Sequence, residues 1–279
     1  MSKKTKPNGR TTPPSPSRRR WVAVCLFLLV VVVFVVTSFL NRSSAALWAA
    51  RRSLSSNAPH DAGGWLEWGN RNGGAGKPEY ELFDALIQNR LGFANGARDA
   101  VARAEELGAT VAQLEDHTYL IEARLGDTGA AELLSENETA TVPIREFFHA
   151  VVRCSMYRRR FGWGHSLLDR WKEQFPEDAA ERYLRGRIFE IDGDPEKAQE
   201  CYEQAIARQG IYAEAAFRLG VLHRSSGNFA EAETSFRLCL TTPYQEIARI
   251  EIADCLLLQG DAKAAQKILE SVVDLKPET

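Results

Sequence analysis

The chain has 279 residues, 44% of them apolar and 26% charged, which is room for one extended array or two modest domains. Its formal net charge of -2 hides an asymmetry: seven of the 35 basic residues and none of the 37 acidic ones lie in the first forty positions, leaving 28 basic against 37 acidic side chains in the body. An acidic body excludes a general nucleic-acid role, which needs a basic footprint.

Residues 1–20 are rich in Lys, Arg, Ser, Thr and Pro (Pro7, Pro13, Pro14, Pro16) and read as a disordered, basic, cytoplasmic tail. Residues 21–40, WVAVCLFLLVVVVFVVTSFL, hold no charge and only two residues that are not apolar, Thr37 and Ser38. Twenty residues at about 1.5 Å each span the ~30 Å hydrocarbon core, so this segment is expected to be a transmembrane helix. Arg18 to Arg20 abut its start and only Arg42, Arg51 and Arg52 follow closely, so the positive-inside rule places the N-terminus in the cytoplasm and everything beyond residue 40 outside it. Two competing readings are a signal peptide cleaved near Ser44-Ala45-Ala46, whose apolar core would be shorter, and a twin-arginine export signal at Ser17 to Trp21.

Residues 41–77 read as a linker or a degenerate first repeat, with Gly63, Gly64, Gly69, Gly73, Gly74 and Gly76 expected to make much of it loop. Further on, three stretches repeat one pattern: RGRIFEIDGDPEKAQECYEQA (185–205), LGVLHRSSGNFAEAETSFRLC (219–239) and IADCLLLQGDAKAAQKILESV (252–272). Gly193, Gly227 and Gly260 recur at 34 and 33 residues, each preceded seven residues earlier by Gly186, Gly220 or Ala253 and followed five later by Ala198, Ala232 or Ala265. The pattern predicts two helices per unit. A glycine ends the first, Asp194 and Asn228 cap the second, and Tyr202 and Phe236 fill the gap to the next unit. Weaker copies are legible at 145–178, where Arg159 stands in place of the turn glycine, at 112–144, with a short second helix, and at 78–111.

These residues resemble the tetratricopeptide repeat family, clearly over 179–279 and in degenerate form over 78–178. The resemblance implies an all-α superhelix of α-α hairpins, here preceded by the single transmembrane helix. It also implies a concave groove, lined by the first helix of each unit, that takes an extended or helical peptide. Carried over by position, the groove residues are Tyr183, Arg187, Glu190, Phe217, Val221, Arg224, Ile250, Asp254 and Leu257. For Tyr183, Phe217 and Ile250 the competing reading is packing between units. Arg187 and Arg224 suit a carboxylate, which a guanidinium can fork onto.

No catalytic constellation stands out: there is no HExxH, GxSxG, P-loop or GxGxxG, and the five histidines are scattered. No enzyme activity, cofactor or metal is therefore expected. Asp192, Asp194 and Glu196 fit a capped turn better than a calcium loop. Cys154, Cys201, Cys239 and Cys255 form no CxxC pair and read as small buried apolar residues, with a disulfide left open. Arg153, Arg158, Arg159 and Arg160 form a basic patch, read either as a solvated helix end or as a docking site for an acidic peptide or lipid headgroups. The function expected is a membrane-anchored protein-interaction scaffold or co-chaperone, on the periplasmic side of a bacterial inner membrane. The alternative is a self-assembling structural module in which Trp65 and Trp68 contribute a packing surface.

Overall fold

The computed structural model of the chain describes residues 42–136, 140–209 and 212–273. The expected tail, the apolar segment 21–40 and the final Leu275-Lys276-Pro277 stop lie outside the described residues. Among the described residues every regular element is helical, and no helix is long and apolar enough to cross a membrane.

The helices pair into seven successive hairpins: α1 (Arg42–Ser55) with α2 (Pro59–Gly69), α3 (Pro78–Leu91) with α4 (Ala94–Glu106), α5 (Val111–Arg124) with α6 (Thr128–Glu136), and α7 (Ile144–Tyr157) with α8 (Phe161–Gln174). They continue with α9 (Ala179–Asp192) and α10 (Pro195–Gln209), α11 (Ala213–Ser225) and α12 (Phe229–Arg237), and α13 (Gln245–Leu258) and α14 (Ala262–Val273). Each hairpin packs on the next, so the apolar core runs along the array as a helical-repeat solenoid rather than gathering at one centre.

The hairpin turns follow the sequence pattern. Gly193, Gly227 and Gly260 have φ of 91°, 80° and 87°, the left-handed conformation that a residue without Cβ adopts freely. In the turn between α7 and α8 this position falls to Arg159, at φ 54°. Asp194 caps α10 by accepting the Lys197 backbone N–H at 3.1 Å, and Asp127 and Asp261 do the same for α6 and α14. Asn228 departs from expectation. It stands at the start of α12, but its side chain makes no capping hydrogen bond.

Within a hairpin, small residues set the distance of approach. A Cβ added at Gly186 would lie 2.6 Å from the Tyr202 ring, and one at Gly220 would lie 2.6 Å from Phe236. Tyr202 and Phe236 therefore cover the glycines of their own hairpins, a correction to their expected role between units. The bridging aromatics are Tyr183, 5.3 Å from Tyr212, and Phe217, 5.6 Å from Tyr244.

Residues 41–77 also differ from expectation. Gly63 and Gly64 lie inside α2, and the irregular parts are the short turn at residues 56–58, a wide turn at Asn70–Gly74 and the link to α3. Pro59 at the helix start and the packing of Ala62 and Leu66 against α1 outweigh the helix-weakening effect of two glycines. Gly69 and Gly74 are small for a different reason: Tyr80 lies against both, and a Cβ at Gly74 would fall 2.3 Å from its ring.

Candidate peptide-binding face

Five successive first helices (α3, α5, α7, α9, α11) bring Arg90, Arg124, Arg153, Arg187 and Arg218 to one inner face. The expected groove residues lie on α9, α11 and α13. Tyr183 and Phe217 are half-buried and engaged in the aromatic bridges between hairpins, so packing accounts for both. Val221 is half-buried against the core, whereas Ile250 and Leu257 are about half exposed, at 52% and 51%.

The two arginines expected to await a carboxylate already have carboxylates of their own. Arg187 lies 3.4 Å from Glu190. Glu190 also meets Arg218 of α11 at 3.2 Å and accepts the hydroxyl of Tyr202. Arg224 reaches across to the next hairpin, pairing with Glu251 at 2.5 Å and with Asp254 at 3.0 Å. Four of the expected groove residues (Arg187, Glu190, Arg224, Asp254) thus form internal ion pairs, and three of these pairs (Glu190–Arg218, Arg224–Glu251, Arg224–Asp254) span neighbouring units.

The basic patch does not hold together as one surface. Arg158, Arg159 and Arg160 sit at the exposed turn after α7. Arg158 donates to the Gly126 carbonyl at 2.5 Å, Arg159 lies over Phe161, and Arg160 lies over Trp163 and 3.6 Å from Glu132. Arg153 is one helical turn earlier and faces the other way, into the inner face, where its Nε has no hydrogen-bond partner. Its neighbours there are Arg90, Tyr183, Arg187 and Arg218.

The sequence did not single out the centre of this face. Arg90 forks onto the buried Glu146 with contacts of 2.9 and 3.1 Å and also meets His149. Arg124 donates to the Arg90 carbonyl at 2.8 Å. Burial and the nearby Arg153 and Arg90 draw the Arg124 guanidinium down to about 9, so it stays charged at neutral pH in a poorly screened place. Burial, reinforced by Arg90, Arg124 and Arg153, holds His149 well below its ordinary value of 6.5, and therefore neutral. The available signal was periodic: Arg90 and Arg124 are one 34-residue repeat apart, as are Arg153 and Arg187.

The tip of the first hairpin reaches this centre from the other side. Asn57, left-handed at φ 58°, donates to Glu214 of α11 at 3.1 Å, and Arg90 donates to the Asn57 side-chain carbonyl at 3.4 Å. Gln209 donates to the Ser56 carbonyl at 2.9 Å. A separate open cavity of about 690 Å³ lies beside α1, lined by Trp48, Arg52, Phe83, His117, Ile144 and Arg145 among others.

Cys154, Cys201, Cys239 and Cys255 are buried and unpaired, and burial pushes the Cys201 thiol up to about 11 and that of Cys239 to about 12. They pack as apolar residues. Among the described residues no group of His, Cys, Asp and Glu could hold a metal ion.

The sequence model of the tetratricopeptide repeat matches residues 182–210 and 213–242. Residues 182–242 carry two tetratricopeptide repeats. The two matched repeats cover nearly all of α9 together with α10, α11 and α12, and so place Tyr183, Phe217 and the Arg187–Glu190–Arg218 cluster on repeat first helices. Among solved structures the chain is similar to a MamA protein, at 15% identity over 71% of this chain and 90% of that one, with a TM-score of 0.40. It is also similar to PilW, described as a widely conserved type IV pilus biogenesis factor, at 15% identity over 77% of this chain and 98% of that one, with a TM-score of 0.47. No curated protein matches the sequence.

Proposed function

We propose that the protein is a non-enzymatic, membrane-anchored interaction scaffold that presents its repeat array outside the cytoplasm and holds a protein or peptide partner on the inner face. The observation that supports this most directly is the inner face itself. Neighbouring first helices are locked together by Tyr183–Tyr212 and Phe217–Tyr244, while Ile250 and Leu257 stay exposed beside them. A fixed backbone with unsatisfied apolar side chains binds without a large ordering penalty. The anchor and the orientation rest on the uncharged run 21–40 and the arginines before it. The side of the membrane would be the periplasmic one in a bacterial host.

In-cell photo-crosslinking tests the reading. A crosslinker at Val221 or Ile250 of the full chain is expected to capture one discrete partner, and one at the outward, exposed Glu203 is not. Capture from Arg158 or Trp65 positions with none from the groove would remove the groove from the proposal.

A second reading, self-assembly at the membrane, draws on the first hairpin. Trp48, Trp65 and Trp68 are 63%, 45% and 41% exposed there, with Trp65 and Trp68 packed edge to face. Sedimentation of the full chain in a density-matched detergent separates the two: a strict monomer at tens of micromolar disfavours self-assembly.

A further inference from the structure

The inner face carries more positive charge than its own carboxylates neutralise. Arg90 is satisfied by Glu146, and Arg187 and Arg218 share the single Glu190. Arg124 and Arg153 lie between these pairs with no ion pair, and the Arg153 Nε makes no hydrogen bond. Glu214 adds one carboxylate at the edge, engaged by Asn57, and burial pushes it toward the neutral form. Five guanidiniums from five successive first helices thus face two fully used carboxylates and one at the rim. This happens in a chain whose body is otherwise acidic. Arg153, Arg187 and Arg218 are half-buried, so solvent screens them weakly but a ligand can still reach them.

We infer that the central inner face, around Arg153 and Arg187, is a binding site for an extended acidic peptide. This rests on the groove reading above and adds the chemistry of the occupant. The arginines come from different hairpins rather than converging from one loop, so they suit several carboxylates in a row better than a single phosphate. Helices in contact lie roughly 10 Å apart, and a chain extended in the polyproline II conformation advances about 3.1 Å per residue with three residues per turn, which keeps every third side chain on one face. Acidic residues at every third position would therefore meet successive first helices. Arg124 and Arg153 would each gain the carboxylate they lack, and Arg187 and Arg218 would exchange part of their hold on Glu190.

The test uses the full chain in a neutral detergent and a fluorescein-labelled ten-residue peptide with Glu at every third position and Gly or Ser elsewhere. Fluorescence anisotropy should show binding that weakens steeply as salt rises, and that is lost when Gln replaces each Glu of the peptide. Arg153→Gln and Arg187→Gln should each weaken it about tenfold or more, Arg158→Gln should leave it unchanged, and Glu190→Gln should tighten it. The tightening guards against mistaking a misfolded arginine variant for a specific loss. Equal binding of the Gln peptide, full displacement by inorganic phosphate, indifference to the Arg153 and Arg187 substitutions in natively folded protein, or no binding at all would each overturn the inference. If groove crosslinkers still captured a non-acidic partner, the groove reading would stand while this inference fell. If they captured nothing, both would fall.

Discussion

Arg159 shows how a single residue can carry a cost that its neighbours in the repeat avoid. Every other hairpin from α3 onward has glycine with positive φ in or beside this turn, and here an arginine holds φ 54°. An L-residue in the left-handed region costs about 1–2 kcal/mol, and stacking over Phe161 offsets only part of it. Arg159→Gly is therefore expected to stabilise the protein by about 1 kcal/mol, read as a higher urea midpoint by circular dichroism. A lower midpoint would mean that the contact with Phe161 outweighs the backbone strain. Gly186 and Gly220 teach the opposite lesson. Their φ values are helical, and they are glycine because the Tyr202 and Phe236 rings occupy the space of a Cβ.

Among the elements, α7 has the least ordinary surroundings. It carries Phe148 stacked on Trp171, the buried Glu146 that forks Arg90, the neutral His149 and the unpaired Arg153. Because His149 titrates well below 6.5 in the folded chain and near 6.5 when unfolded, the unfolded state takes up a proton that the fold refuses. Stability is therefore full above pH 6.5 and falls as pH drops below it, by up to about 1.4 kcal/mol per pH unit from this one group. Burial lowers His117 and His165 in the same direction. Urea unfolding at pH 7.0 and pH 5.5 should show the loss, and His149→Gln should shrink it. An unchanged pH dependence in that variant would show that His149 is not neutral in the fold.

At the scale of the whole molecule, the array curls far enough for its first hairpin to touch its sixth. Asn57 and Glu214 are 157 residues apart in sequence and 3.1 Å apart in space. This closure covers one end of the arginine cluster and couples the degenerate hairpins to the regular ones. Asn57→Gly keeps the left-handed backbone unstrained while removing the side chain, and Glu214→Gln removes the charge. A double-mutant cycle of the two should give a coupling of about 1 kcal/mol in unfolding free energy. A coupling indistinguishable from zero would mean that the tip does not dock on α11 in solution.

The sequence by itself determined the hairpin repeat, because its signals are local. Glycines at 33- and 34-residue spacing end helices, Asp194 caps the next one, and small residues mark close crossings, all within one unit. It also supplied the apolar segment 21–40 as the expected anchor, through an uninterrupted composition that needs no fold to be read. The tertiary structure alone decided which side chains meet across units. It assigned Tyr183 and Phe217 to packing, gave Arg224 to Glu251 and Asp254, separated Arg153 from Arg158 to Arg160, and gathered Arg90, Arg124, Arg153, Arg187 and Arg218 around one face. The physical reason is curvature: the small rotation between successive hairpins sets which residues face the axis, and that rotation sums over many packing contacts, none of them written in any single repeat.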